Sequence, residues 1–115
     1  MNARRAYDAS VKAFGARAGL TGGAAHTLAD CLIGQGQLDE ASKLLANIDS
    51  AAVGQLTGSK DWFATVEFSE AEIAYRRRNF DAARKHLAIA APILSRSDAE
   101  PYQREAVQKL TAALK

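Results

Sequence analysis

The stretch Gly34-Gln-Gly-Gln-Leu-Asp-Glu-Ala-Ser-Lys-Leu-Leu-Ala-Asn-Ile48 decides the fold, because it combines a tight turn with a short amphipathic helix. Gly36 follows a helical run, at a point where a residue that tolerates positive φ commonly ends a helix. After it, apolar residues recur at steps of three and four, as on one face of an α-helix. This stripe comprises Leu38, Ala41, Leu45 and Ile48. The stretch therefore predicts two antiparallel helices joined by a short connection.

A related stretch follows later in the chain, from Tyr75 to Ala90. Its apolar stripe comprises Phe80, Ala83, Leu87 and Ala90, each 42 residues after its counterpart in the first stretch. Two copies at a fixed spacing are typical of helical repeat proteins. The sequence therefore predicts that the hairpin occurs twice.

The composition favours helix throughout the chain. The 115 residues are 48% hydrophobic and 24% charged, which fits one domain with a modest core. Alanine, leucine, arginine and lysine are frequent and there are only two prolines, so we expect an all-α protein. A net charge of +2 is too small to indicate a nucleic-acid partner, and we expect none.

The single cysteine, Cys31, excludes an intramolecular disulfide and fits a reducing compartment. The N-terminal residues lack the apolar core of a signal peptide, and no run of about 18 apolar residues could span a bilayer. We therefore expect a cytoplasmic protein without membrane contact. The abrupt start in helix-like sequence suggests a module of a longer polypeptide.

About six helices are expected, in a single domain. They comprise a leading helix over 3–18, a first hairpin over 22–49, a second hairpin over 60–95 and a closing helix over 98–115. The outer helices should bury one stripe each, namely Tyr7, Val11, Phe14 and Ala18, and Tyr102, Ala106, Leu110 and Ala113. Thr21 is a candidate cap for the helix that follows it. Residues 49–60 are expected to form a loop with up to one helical turn, from which Val53 and Leu56 point inward.

Both hairpins resemble the tetratricopeptide (TPR) repeat family, at Gly36-Gln-Leu-Asp-Glu-Ala-Ser-Lys-Leu-Leu45 and at Asn79-Phe-Asp-Ala-Ala-Arg-Lys-His-Leu87. In that family each hairpin has a small residue midway along its first helix, a glycine and a large apolar residue at the turn, and an early alanine in its second helix. The matching residues are Ala29, Gly36, Leu38 and Ala41 in one hairpin, and Ala71, Arg78, Phe80 and Ala83 in the other. Over residues 22–95 the resemblance implies TPR-like hairpins in a short right-handed solenoid.

Three features depart from the family pattern. The repeat spacing exceeds the usual 34 residues, which resembles long-linker variants in bacterial regulators and in regions attached to serine/threonine kinases. Arg78 replaces the turn glycine, so the second turn must close without it. Glu70 replaces a buried apolar residue. Either its helix is rotated toward Trp62, Val66 and Ile73, or Glu70 pairs with Arg77 or Arg84.

TPR arrays hold an extended peptide or a partner helix on the concave face of their first helices. The resemblance places on that face His26, Asp30, Ile33, Thr65, Phe68, Glu72, Tyr75 and Arg76. Aromatic, carboxylate and guanidinium groups together suit peptide binding by stacking and charge-assisted hydrogen bonds. The alternative is that Phe68 and Tyr75 belong to the core and the charged residues form a solvated face.

Other candidate sites have plainer explanations. Arg76-Arg-Arg78 with Arg84-Lys-His86 would suit phosphate or an acidic partner, but cations at a helix C-terminus also complement its dipole. Cys31 lies among apolar residues and is expected to be a small buried hydrophobe rather than a nucleophile. His86 has no metal-ligand companion nearby, and the chain lacks common catalytic motifs. We expect no enzymatic activity, no metal and no cofactor.

The sequence thus predicts a scaffold for protein–protein contacts that binds a protein or peptide partner. The alternative is a structural role, in which the chain ends a longer repeat array and packs on a neighbouring domain or on its own copy. In that case the face with Tyr7, Val11 and Phe14 on the leading helix would be the surface of a homodimer.

Overall fold

The computed structural model describes residues 2–96 and 98–115 of the chain. Within these ranges it contains seven α-helices and no β-strand, which confirms the all-α class. The helices are α1 (Ala3–Phe14), α2 (Gly19–Gly34), α3 (Leu38–Ala46), α4 (Ser50–Thr57), α5 (Phe63–Arg76), α6 (Phe80–Leu94) and α7 (Pro101–Ala113). None of these helices is long and apolar enough to cross a bilayer.

The chain divides into two compact units, Met1–Phe63 and Ala64–Lys115. The first unit contains α1 to α4, and α2 lies at its centre in contact with each of the other three helices. Its buried apolar residues are Ala25, Leu28, Ala29, Leu32, Ile33, Ala41, Leu44, Leu45, Ile48 and Val53. Most of them come from α2 and α3, the hairpin that the sequence placed at the centre of the fold.

The second unit is built from α5, α6 and α7. Its core consists of Ala64, Ala71, Ala74, Ala83, Leu87, Ala90, Leu94, Val107, Leu110 and Leu114. The Arg84 guanidinium on α6 donates to the carbonyl oxygen of Leu114 at 3.1 Å, just beyond the end of α7. A cation thereby satisfies one of the carbonyl groups that the end of a helix leaves unpaired.

The turn between α2 and α3 closes around Gly36, which takes a φ of 80°. Its amide donates to the carbonyl oxygen of Ile33 at 3.0 Å, and the Gln37 amide donates to that of Leu32 at 2.8 Å. These two bonds form the pattern by which a left-handed residue commonly ends a helix. The predicted role of Gly36 is confirmed.

The turn between α5 and α6 has the same pattern without a glycine. Arg78 takes a φ of 62°, its amide donates to Tyr75 at 3.0 Å, and the Asn79 amide donates to Ala74 at 2.9 Å. The Asn79 side chain then caps α6 by accepting from the Ala82 amide at 3.3 Å. The second turn therefore closes in the same way as the first, with Arg78 in a backbone region that glycine normally occupies.

The ends of α1 and α2 differ from the prediction. The leading helix stops at Phe14 rather than at residue 18, and α2 begins at Gly19. Thr21 is therefore not a cap: it lies inside the first turn of α2, is fully buried, and its hydroxyl has no hydrogen-bond partner. The helix begins early because the Gly22 amide already donates to the carbonyl oxygen of Ala18, at 2.9 Å.

Helix α4 replaces the predicted loop of residues 49–60. The Asp49 carboxylate accepts a hydrogen bond from the Ala52 amide at 3.1 Å and so caps its start. Val53 points inward as predicted and is buried, but the prediction for Leu56 is wrong, because 57% of its surface is exposed. Two helical turns therefore fill most of the extra length in the repeat.

Two glycines let α2 lie directly against α4. A Cβ atom on Gly22 would be only 2.5 Å from the Val53 side chain, and one on Gly19 would be 2.7 Å from the carbonyl oxygen of Ala52. Real Cβ atoms do not approach other atoms this closely, so only glycine fits at these positions. This close contact holds α4 against α2 within the first unit.

The buried face of α7 is rotated relative to the prediction. Val107, Leu110 and Leu114 are buried, whereas 69% of the surface of Tyr102 is exposed. Of the predicted stripe, Leu110 is buried, Ala106 is half-buried and Ala113 is exposed. The observed stripe removes larger side chains from water than the two alanines would, which favours it.

Candidate functional site

The predicted partner-binding residues of the first unit lie on α2. The His26 ring meets the Trp62 ring edge-on, with 5.6 Å between their centres, and its Nδ1 is 3.7 Å from an Asp30 carboxylate oxygen one turn away. Only 17% of the His26 side chain is exposed, compared with 51% for Asp30. Ile33 is buried and packs in the core of the unit. Asp30 is therefore the group of this set that is most accessible to a partner.

The predicted residues of the second unit all lie on α5, at steps of three and four residues that place them on one side of the helix. Phe68 and Tyr75 are half-buried and pack against the core of this unit. The Tyr75 ring also meets the Phe80 ring, with 5.7 Å between their centres. Both aromatic residues thus contribute to the core while part of each remains exposed.

The polar members of this set frame the two aromatic residues. Thr65 and Glu72 are half-buried, and Arg76, in the last turn of α5, is exposed. A guanidinium and a carboxylate one turn apart, beside a partly exposed aromatic ring, can bind the backbone or charged side chains of a peptide. The structure brings these five residues onto one surface of α5.

A hydrogen-bonded pair of side chains that the sequence did not predict joins α5 to α6. The His86 Nδ1 atom lies 2.7 Å from a Glu67 carboxylate oxygen, and both side chains are partly buried. Sequence reasoning considered His86 only as a metal ligand or as part of a basic patch, although Glu67 and His86 occur on the two helices of a predicted hairpin. The pair fixes the two helices against each other through polar groups.

Glu70 is half-buried next to this pair. Burial raises the pKa of Glu70, and the charge of Glu67 raises it further, whereas His86 and Arg77 act in the opposite direction. Of the two partners considered for Glu70, Arg77 therefore interacts with it electrostatically. The other, Arg84, donates instead to Leu114 and, at 3.3 Å, to Asp81.

Basic residues on the same two helices are partly engaged within the unit. Arg76, Arg77 and Arg78 are exposed near the end of α5. Arg84 and His86, in contrast, are bound to the end of α7 and to Glu67. Arg77 interacts electrostatically with Glu70, so groups from both basic segments are engaged within the unit.

Cys31 is exposed, so the expectation that it is a buried hydrophobe is wrong. The reason is its phase on α2: the core is formed by residues such as Leu28, Ala29 and Leu32, and Cys31 lies on the other side of the helix. It lines a hollow of about 580 Å³ beside the ion pair between Arg4 and Glu40. In the described part of the chain, no three histidine, cysteine or carboxylate groups are placed to hold a metal ion.

Comparison of the chain with protein-family models, with curated proteins and with solved structures found no match in any of the three sets.

Proposed function

We propose that this chain is a protein–protein interaction module built from two TPR-like hairpins, which binds a peptide or a partner helix through the first helix of each hairpin. The observation that carries the proposal is the repeated turn. Two amide-to-carbonyl bonds close the turn at Gly36, and the same two bonds close it 42 residues later at Arg78.

Packing inside the hairpins supports the same assignment. Ala29 and Ala71, midway along the first helices, are fully buried, and so are Ala41 and Ala83, early in the second helices. These are the four positions at which TPR hairpins require small residues so that helices can approach closely. The right-handed solenoid expected of the family stays a prediction.

The surface of α5 around Arg76 is the best place to test the proposal. A peptide selected by display on the purified chain would be titrated against wild type and Arg76→Glu, using fluorescence anisotropy. We expect the charge reversal to weaken binding by at least about tenfold, which corresponds to about 1.4 kcal/mol. Lys85→Glu is the matched control, because it makes the same charge change at an exposed site on α6 and should leave binding unchanged.

Two results would contradict this proposal, the first its binding surface and the second the interaction module itself. Equal binding by wild type and Arg76→Glu would place the peptide elsewhere on the chain. If no peptide is selected, and light scattering instead shows self-association that Phe14→Gln abolishes, the alternative role as an end of a longer array would be supported. Circular dichroism of each variant excludes loss of the helical fold as the cause.

A further inference from the structure

The turns of the two hairpins share one backbone arrangement but carry different side chains. Residues 34–38 read Gly-Gln-Gly-Gln-Leu, whereas residues 76–80 read Arg-Arg-Arg-Asn-Phe. The same two amide-to-carbonyl bonds close both turns, and the left-handed residue is Gly36 in the first and Arg78 in the second. Since the first turn closes without any charged residue, the hairpin itself does not require arginines at this place.

Arg78 adopts a backbone conformation that costs free energy. Its φ of 62° lies in the left-handed region, where the Cβ atom of a side chain crowds the backbone and glycine avoids the contact. The Arg78 side chain is exposed, and no hydrogen bond or ion pair with the described residues engages its guanidinium. Residues kept in strained conformations cluster at functional sites. The strain at Arg78 therefore indicates a role for its side chain outside the fold.

Arg76 is a second exposed guanidinium at this turn. It makes no hydrogen bond or ion pair with residues 2–96 or 98–115, whereas Arg77 beside it interacts with Glu70. A cation in the last turn of a helix can complement the helix dipole. However, α2 ends at an equivalent turn with no basic residue in its last turn, so this effect does not explain why Arg76 is there.

An aromatic pair lies at the same turn. The Tyr75 and Phe80 rings meet with 5.7 Å between their centres, and the Arg78 amide donates to the Tyr75 carbonyl oxygen at 3.0 Å. Phe80 is 41% exposed and Tyr75 is half-buried, so part of both rings is accessible. We call residues 75–80 the arginine turn. It combines two exposed guanidinium groups with an accessible aromatic surface.

We propose that the arginine turn binds an acidic segment of a partner protein. Arg76 and Arg78 bind its carboxylates, and an apolar side chain next to them packs on the aromatic pair. Guanidinium groups bind carboxylates through paired hydrogen bonds, and arginine and aromatic residues dominate the energetics of many protein interfaces. This site rests on the proposed function, because Tyr75 and Arg76 belong to the surface of α5, but it extends that surface to Arg78 and Phe80 and defines the charge of the ligand.

The charges around the arginine turn favour a short acidic segment over a long polyanion. Glu67, Glu70 and Glu72 precede the arginines on α5, and Asp81 follows them with 95% of its side chain exposed. Residues 67–81 thus hold four carboxylates and three guanidinium groups. A nucleic acid needs a positively charged groove along its backbone and would meet these carboxylates. A protein segment with a few acidic residues can place its charge at the turn alone.

Two labelled peptides that differ only in charge test the proposal by fluorescence anisotropy with the full chain. One has a phenylalanine flanked by three glutamates in a neutral glycine and serine segment, and the other has glutamine in place of each glutamate. At about 50 mM salt we expect the acidic peptide to bind at least about tenfold more tightly, with an affinity that falls as salt increases.

Arg78→Gly is the decisive variant, because it removes the guanidinium and relieves the backbone strain together. It should remain folded and bind the acidic peptide at least about tenfold more weakly. Arg78→Lys keeps the charge but not the paired hydrogen bonds, so its affinity should be intermediate. Arg78→Gln and Arg5→Gln provide a matched comparison, since they make the same change at exposed arginines of the two units, and only the first should weaken binding.

Equal affinity of wild type and Arg78→Gly for the acidic peptide, or no binding of that peptide up to about 1 mM, would overturn the proposal. So would tighter binding of a single-stranded oligonucleotide, or a dimer in analytical ultracentrifugation that Arg78→Gly dissociates, in favour of those occupants. This failure is distinct from failure of the proposed function, which Arg76→Glu tests with a peptide selected without regard to charge. Arg78→Gly leaves the predicted binding residues on α5 intact.

Discussion

At the residue scale, the burial of Glu70 links the stability of the second unit to pH. Burial raises its pKa above the value in the unfolded chain. At neutral pH the folded protein therefore holds a charged carboxylate in a poorly solvated position, which destabilises the folded state. As pH falls through the raised pKa, the folded protein takes up a proton before the unfolded chain does. The destabilisation caused by Glu70 therefore disappears toward acid pH.

Glu70→Gln should accordingly be more stable than wild type at neutral pH. We expect a gain in the free energy of unfolding of less than about 1 kcal/mol, because Glu70 is only half-buried and water screens its charge. The gain should shrink as pH falls from neutral through the raised pKa of Glu70. Urea denaturation followed by circular dichroism at several pH values measures this difference.

The control for this prediction is Glu105→Gln on α7. Glu105 is 67% exposed and lies 3.5 Å from Lys109, so its removal should give no gain at neutral pH. If Glu70→Gln were less stable than wild type at neutral pH, attraction to His86 and Arg77 would outweigh burial, and the assigned order of effects would be wrong.

Single residues also show where sequence reasoning stops. The 42-residue spacing identified Arg78 as the counterpart of Gly36, and the structure places both in the left-handed region. Reasoning from neighbouring residues failed for Thr21 and Cys31. The environment of Thr21 depends on where α2 begins, and that of Cys31 depends on which side of α2 faces the core.

At the scale of elements, the contact between α2 and α4 is close enough that a single added carbon atom should change the stability of the first unit. Gly22 and Gly23 are adjacent in α2, but a Cβ atom on Gly22 would meet Val53 at 2.5 Å, whereas one on Gly23 would meet nothing within 4 Å. We expect Gly22→Ala to destabilise the chain by about 1–3 kcal/mol through overpacking. Gly23→Ala should stabilise it by up to about 1 kcal/mol, because alanine is a better helix former.

Thermal or urea unfolding of the two variants makes this comparison directly, since they carry the same substitution one residue apart. Equal effects of the two changes would show that α4 does not lie against α2 at Gly22. Hydrogen exchange adds a local readout, because Gly22→Ala should reduce amide protection in both α2 and α4.

Helices were predicted correctly where apolar residues form one regular stripe, and they were missed where the spacing of apolar residues is ambiguous. The stripe of α3 is regular, and its helix begins at Leu38 as expected. Residues 50–57 contain only two large apolar side chains among small and polar residues, so periodicity gave little reason to expect α4. The exposure of Leu56 was missed for the same reason, since Leu56 lies on α4.

At the scale of the whole molecule, the all-α class followed from composition, and the two hairpins followed from the constant spacing between related stretches. The division at Phe63 and Ala64 was not predicted. No local signal marks it, because it falls at the start of α5 and depends on which residues pack together. The repeated hairpin could therefore be predicted from the sequence. The helices that pack against each hairpin could not, because their positions depend on contacts between residues that are distant in the sequence.

The repeat predicts that the two turn residues are interchangeable. Gly36→Arg alone should lower the free energy of unfolding, because a side chain in the left-handed region costs about 1 kcal/mol. Arg78→Gly alone should raise the free energy of unfolding by a similar amount. Each change is partly offset by its opposite effect on the conformational entropy of the unfolded chain, which is larger with glycine. The double variant has the composition of wild type, so the unfolded-state contributions cancel.

We therefore expect the double variant to lie within about 0.5 kcal/mol of wild type, the usual limit for independent sites. The two turns share no hydrogen-bond partner, since Gly36 donates to Ile33 and Arg78 to Tyr75. Urea denaturation of the four proteins in this cycle provides the measurement. A double variant much less stable than wild type would mean that the turns differ in energy despite having the same hydrogen bonds, and that glycine at position 36 has a further role in the first hairpin.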